Sequence, residues 1–165
     1  MKLLSNGNLK GYGHYDINAV TWYTLKNYGI ALTGPGSAYM DLSISDNDLI
    51  KTMNYNLNRY WKNKSSKKFI FLLDNWVEFS VVTLCRILYT LDTKSIISKN
   101  KAVVYVLSKY PNFSPNLLKE TLRIRLNSSK TSLYKNRMSR ATEVRNFIIA
   151  IINYCNSTYS ELITQ

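Results

Sequence analysis

The stretch from Asn75 to Leu91 carries apolar side chains on nearly every side of a helix and, among them, one arginine, Arg86. At a helical period of about 3.6 residues, Leu73, Val77, Val81, Leu84, Leu88 and Leu91 form one stripe. Leu72, Trp76, Phe79, Val82, Arg86 and Tyr89 form a second. A helix apolar on two faces belongs in a core. A guanidinium keeps its charge and presents a planar fork of donors, so burying it requires a carboxylate, a phosphate or a polar cluster. Two readings follow: a structural ion pair to Glu78 or Asp74, or an anion site.

The rest of the chain supplies enough apolar surface for that core. Its 165 residues fit one domain, or one domain with a short appendage, and 45% are hydrophobic. The longest apolar run, from Phe147 to Ile152, falls well short of the roughly 20 residues that span a bilayer. The N-terminus turns polar at Ser5-Asn6-Gly7, too early for a secretory apolar region. Cys85 and Cys155 each fall on an apolar helical stripe, which favours small core thiols over a disulfide. These features lead us to expect a cytoplasmic protein without a membrane segment.

A net charge of +12 invites a polyanion as partner. Its distribution is less persuasive than its total, so a basic nucleic-acid-binding helical protein stands as an alternative reading, beside a non-catalytic binding module or remnant, and not as the leading one. Lys62, Lys64, Lys67 and Lys68 form one run broken by serine and asparagine, as in a solvated loop, and the other cations are scattered.

Along the chain, capping and periodicity predict helices. Asp16 is placed to cap one through Ala19, Val20, Tyr23 and Leu25, with Gly29 at its end, followed by a strand at Ile30–Thr33. Ser45 with Asp48 makes a capping box that opens a helix through Leu49, Met53, Leu57 and Trp61. The Arg86 helix is third. Ser98 caps a fourth from Lys99 to about Lys109, before Pro111. Ser114-Pro115 opens a fifth through Leu117, Leu118, Leu122 and Arg125. In the last, Tyr134, Met138, Ala141, Val144, Ile148, Ile151, Ile152 and Cys155 share a face. The expected fold is mainly α: an antiparallel bundle of five to six helices with a short strand-like N-terminal appendage.

Catalytic motifs are scarce. Gly36-Ser37 followed by Asp46-Asn47-Asp48 imitates the arrangement by which nucleotidyltransferases hold two metal ions. Those carboxylates need a rigid strand, whereas Asp46 and Asp48 fall in the first turn of a helix, where the dipole accounts for them. His14 has no metal-ligating neighbours in sequence. We therefore expect neither a metal site nor a catalytic residue. Lys99, in the first turn of its helix, is either a solvated lysine or part of a phosphate cradle made with the helix amides.

The segment from Val81 to Leu91 with Arg86, then Ile97-Ser98-Lys99, Ala102 and Tyr110-Pro111, resembles the C-terminal helical domain of the aminoglycoside (streptomycin and spectinomycin) adenylyltransferases. Asp16–Trp22 and Gly29–Pro35 resemble the stretch joining that family's two domains. Leu57–Trp61, Leu122–Arg125, Ser132–Tyr134 and the final helix extend the likeness to about nine tenths of the chain. The resemblance implies residues 1–40 as inter-domain segment and 41–165 as a helical substrate-binding domain. It implies AMP transfer from Mg-ATP to a drug hydroxyl, with Arg86 and Lys99 on the ATP phosphates. Trp61 matches an aromatic of the drug cleft. Trp76 stands where streptomycin-modifying relatives carry an aspartate, and Glu78 is the nearest acid. The family's metal-binding nucleotidyltransferase domain has no counterpart in these residues, so the chain is expected to contribute half an active site and not to catalyse alone.

Overall fold

The computed structural model describes residues 3–5, 8–10, 18–34, 36 and 43–163. Two three-residue strands, β1 (Leu3–Ser5) and β2 (Asn8–Lys10), pair antiparallel with Leu4 opposite Leu9. All other regular structure among the described residues is helical. In order come α1 (Ala19–Tyr28), α2 (Asp46–Tyr55), a π-helical turn (Asn56–Trp61), α3 (Lys62–Ser65), a 3-10 turn (Lys68–Leu72) and α4 (Asp74–Thr93). Then follow α5 (Lys99–Lys109), α6 (Pro115–Leu126), α7 (Arg137–Thr158) and α8 (Ser160–Ile163). The expected mainly-α bundle is present.

Local chemistry sets most of the helix ends. Ser45 opens α2 with a complete capping box, its Oγ accepting from Asp48 N at 3.2 Å while the Asp48 carboxylate accepts from Ser45 N at 2.9 Å. Pro115 occupies the first turn of α6, where its missing N–H costs nothing. Asn136 caps α7 by accepting from Ser139 N at 2.8 Å. At α1 the cap is Asn18, which accepts from Thr21 N at 3.1 Å. Asp16, the expected cap, lies outside the described residues, as does His14. Gly29 does end α1, in an extended conformation rather than a left-handed one. Its need for glycine is a close approach: a Cβ there would sit 2.3 Å from the Leu25 carbonyl oxygen.

Three further expectations need correcting. Ile30–Thr33 is not a strand, because Ile30 and Leu32 are exposed and no partner edge pairs with them among the described residues. The Lys62–Lys68 run is a loop only in part: α3 continues directly out of the π-helical turn and holds Lys62 and Lys64 in helix, while Lys67 lies in the short connection before Lys68 opens the 3-10 turn. The stripes assigned by period are also too wide. Leu73, Phe79 and Met138 are exposed, and Tyr134 precedes α7.

α4 is the centre of the bundle, packed against α2, α5, α6 and α7. Val77, Val81, Leu84, Cys85, Leu88 and Leu91 are buried there and meet Ala102 and Val103 of α5, Leu117 and Leu118 of α6, and Val144, Ile148 and Ile151 of α7 in one core. Both cysteines are free and buried. Burial pushes each thiol up, Cys155 to about 12, which makes them inert packing groups.

Two polar clusters fix the helices to one another. Asp92, near the end of α4, accepts from Tyr105 Oη at 2.6 Å, Tyr110 Oη at 2.7 Å, Lys109 Nζ at 3.0 Å and Tyr159 Oη. Burial alone would raise this carboxyl, but those bonds outweigh it and hold it below the usual range. Glu120 on α6 is fully buried. It accepts from Arg123 Nε at 2.8 Å, Arg123 Nη2 at 2.9 Å, Ser132 Oγ at 2.8 Å, Leu133 N at 3.0 Å and Arg140 Nη1 at 3.2 Å. Arg140 also reaches Asp74 at 2.6 Å, at the start of α4.

Candidate functional site

The face of α4 turned toward α1 and α2 carries Phe79, Thr83, Arg86 and Thr90, spaced three and four residues apart, and two cavities open along it. One, of about 320 Å³, lies between this face and Val20 and Thr21 of α1 and Thr52, Met53 and Asn56 at the end of α2. The other, of about 570 Å³, is bounded by Thr24 and Tyr28 of α1, Tyr89 of α4, the connection Ser95–Ser98 and Lys101 of α5. Arg86 and Ile96 line both.

Arg86 is half-buried and has no carboxylate partner among the described residues. Its Nε donates to the Ile97 carbonyl at 3.1 Å, which ties the α4–α5 connection to α4. Neither Nη makes a hydrogen bond to a described residue. Both acids proposed as its structural partner are engaged elsewhere: Glu78 with Arg125 of α6, and Asp74 with Arg140 of α7. Burial pulls the Arg86 guanidinium down from its ordinary value, as expected of a charge whose lost hydration no neighbouring anion replaces. It remains charged, and an anion in either cavity would relieve that cost.

The connection beside it ends at the N-terminus of α5. Ser98 holds the cap position in extended backbone but makes no side-chain cap bond, so the first-turn amides of α5 are open to an external acceptor. Lys99 is exposed on that turn and lines neither cavity, whereas Lys101 lines the larger one. Lys101 escaped the sequence reading although it lies only two residues further along the same first turn.

The other anticipated residues separate into two groups. Trp61 is fully buried, its ring 5.0 Å from Tyr60 and 5.4 Å from Phe79, so it is a core tryptophan of this domain. Trp76 is half-buried, 5.8 Å from Phe79, with the Lys64 ammonium 4.8 Å over its ring. Phe79 therefore connects both tryptophans to the smaller Arg86 cavity, and nothing in the sequence pattern distinguished it from its stripe. Glu78 belongs to a different place. Its carboxylate and Asn100 of α5 share the Arg125 guanidinium, a cross-link among α4, α5 and α6.

Among the described residues no carboxylate lines either cavity. The Asp46–Asp48 pair offers no metal site either: Asp48 is committed to Ser45 N and, at 2.7 Å, to Ser45 Oγ. Ser37 of the imitated Gly-Ser motif lies outside the described residues. No cluster of three or more metal-ligating side chains occurs among the described residues. No helix among them is long and apolar enough to cross a membrane.

The family model for the aminoglycoside adenylyltransferase C-terminal domain matches residues 42–151, a span that contains Arg86, the cavity-lining residues of α2, α4 and α5 and every anticipated site residue, but not the α1 wall of the cavities. No curated protein matches the chain.

Proposed function

We propose a function from one premise: this chain belongs to the aminoglycoside adenylyltransferase C-terminal domain family. Its role in this reading is to complete a nucleotide pocket, with Arg86 on the phosphates of Mg-ATP. The observation that carries the proposal is a half-buried guanidinium that lines two adjoining cavities with no carboxylate among the described residues to neutralise it. The uncapped start of α5 and Lys101 supply further donors and positive charge on the same side, and Lys99 adds its charge from the exposed edge of that turn.

AMP transfer itself is assigned to a partnering nucleotidyltransferase domain that holds the metal ions. The helical domain would bind and orient the triphosphate and spread charge compensation over it as the phosphate bond breaks. In this division residues 1–40 serve as inter-domain segment and 41–165 as substrate-binding domain. The acceptor is a hydroxyl-bearing small molecule of the aminoglycoside class, with Trp76 and Phe79 as the aromatic surface nearest the Arg86 cavity. Glu78, occupied by Arg125, must exchange partners to meet a drug cation.

The test is calorimetric titration of Mg-ATP, then of spectinomycin and streptomycin, into the chain alone and with a family nucleotidyltransferase domain added in trans. Arg86→Ala is expected to weaken ATP binding by about 1.5–3 kcal/mol, the range for hydrogen bonds to charged groups. Unchanged ATP affinity in a folded Arg86→Ala variant would end the proposal.

A further inference from the structure

The arginines of this chain differ in one respect. Arg86, Arg123, Arg125, Arg140 and Arg145 each donate to a carbonyl or carboxylate of the fold. Like Arg137, Arg59 makes no such bond to a described residue, and it is exposed. It shares a groove of about 500 Å³ with Lys51 and Lys62, two more exposed cations without an ion pair to a described residue, together with Asn54, Tyr55 and Asn58. No carboxylate among the described residues lines that groove. The nearest acid along the helix, Asp48, is held in the capping box of α2.

The groove is built rather than accidental in its backbone. Lys51 and Tyr55 lie on α2, and the chain then passes through the π-helical turn before α3 brings in Lys62. A π-helical turn is rare and widens the coil, so fewer degrees separate successive residues. Arg59 lies in that turn and lines the same groove as Lys51 of α2 and Lys62 of α3. Asn58 and Asn156 of α7 exchange two amide hydrogen bonds of 3.0 and 2.9 Å, and Asn58 donates a further one of 2.7 Å to Asn54. The turn that presents Arg59 is thus fastened to the bundle.

Tyr55 decides the chemistry of the ligand. It is 66% exposed, beside three cations. With Lys51 it also lines a smaller depression shared with Asn18, Thr52 and Asn56, the same three residues that border the smaller Arg86 cavity. A cationic groove that tracks a backbone, with an exposed aromatic ring in it, is the arrangement that binds single strands: cations meet phosphates and the ring stacks on a base. An acidic protein surface would have no use for the ring.

We propose that the groove along α2 and the π-helical turn binds the phosphodiester backbone of single-stranded nucleic acid, with Lys51, Arg59 and Lys62 on phosphates and Tyr55 as a stacking platform. In sequence Lys51 and Arg59 stand apart from the run that begins at Lys62, and only the folded face brings the three together. The site is independent of the nucleotide pocket proposed above.

Fluorescence anisotropy with a labelled oligo-uridine and the full chain, over a range of salt concentrations, tests it. Three neutralised phosphates give a log K against log salt slope of about −2, at roughly −0.7 per phosphate. Each of Lys51→Gln, Arg59→Gln and Lys62→Gln should lower that slope by about 0.7. Tyr55→Ala should weaken binding roughly five-fold or more at unchanged slope. Lys119→Gln with Lys130→Gln, exposed cations outside the groove, should leave the slope as it was. No binding at low salt, or a slope that the triple groove variant does not change, overturns the proposal. Equal competition by poly-aspartate with no effect of Tyr55→Ala would assign the groove to an acidic protein and overturn it as well.

Discussion

Arg140 Nη1 of α7 lies 3.2 Å from Glu120 Oε1 of α6, with the two side chains 2% and 0% exposed. The contact is the centre of a larger arrangement. Arg123 and Arg140 converge on Glu120 while Asp74 takes the far side of Arg140, so two acids and two arginines alternate across α4, α6 and α7. Ser132 and Leu133 N–H complete the carboxylate, which fastens the connection between α6 and α7 to the core. A buried carboxylate so fully satisfied contributes through the cost of disturbing it rather than through net attraction.

Glu120→Gln keeps the shape but removes the charge that two arginines share. The variant is expected to lose about 3–5 kcal/mol of stability, the range for breaking a buried pair from one side. Chemical denaturation measures it. A loss below about 1 kcal/mol would mean that water reaches Arg140 and that the network is peripheral.

The same carboxylate sets an acid limit. Burial by itself raises the Glu120 carboxyl, but hydrogen bonds from Arg123, Leu133 N, Ser132 and Arg140 prevail and bring it down to about 2. A carboxyl depressed in the folded state stabilises the protein fully above its unfolded value, about 4.5, and loses that contribution as pH falls toward 2. The contribution at neutral pH is about 3 kcal/mol at most. Asp92, lowered by its three tyrosines and Lys109 against the opposing effect of burial, acts in the same direction. Unfolding midpoints should therefore be flat from neutral pH to about 5 and fall below it. The fall should be shallower in Glu120→Gln, and equal acid sensitivity in both proteins would contradict the linkage.

How much of this could be read from the chain depends on distance along it. The Ser45–Asp48 capping box, Pro115 at the start of α6 and the span Lys99–Lys109 are local and were legible, because caps and breaks act within one turn. Arg86 was legible as an oddity. Its surroundings were not, since Glu78 and Asp74 are taken by Arg125 and Arg140, which lie 47 and 66 residues away. The π-helical turn also defeated the periodicity, as one wider turn shifts the face on which Lys62 and Lys64 emerge. Phe79 shows the limit of stripe counting: the period places it inward, yet it is 47% exposed at the edge of the Arg86 cavity.

α4 ends on a residue that strains its backbone. Lys94 has φ 51° and ψ 30°, left-handed values, while its N–H donates to the Thr90 carbonyl at 2.8 Å. A side chain with a Cβ pays about 1–2 kcal/mol there, and glycine pays none of it. Part of the gain is lost to the larger freedom of glycine in the unfolded chain, so Lys94→Gly should stabilise by about 0.5–1 kcal/mol. The exposed Lys94–Asp46 pair at 3.9 Å contributes little against this. A higher denaturant midpoint at constant slope is the expected result, and a lower one would mean that the lysine side chain holds the turn.

Trp61 tests whether an aromatic implied by resemblance to line a drug cleft does so here. Its ring is fully buried, and its indole Nε1 is buried without a hydrogen-bond partner. A buried donor left unsatisfied costs about 1–3 kcal/mol, so Trp61→Phe trades lost packing against removal of that orphan and should change stability by no more than about 1 kcal/mol. Trp61→Ala removes the packing with no compensation and should cost about 3–5 kcal/mol. Neither variant should alter ATP affinity while the protein is folded, because Trp61 borders neither Arg86 cavity and reaches the smaller one only through Phe79. Thermal unfolding and calorimetry on the same samples separate the two effects. If Trp61→Phe weakened the binding of nucleotide or drug at unchanged stability, the tryptophan would have to move out of the core on binding, and the smaller cavity would be a closed form of a larger cleft.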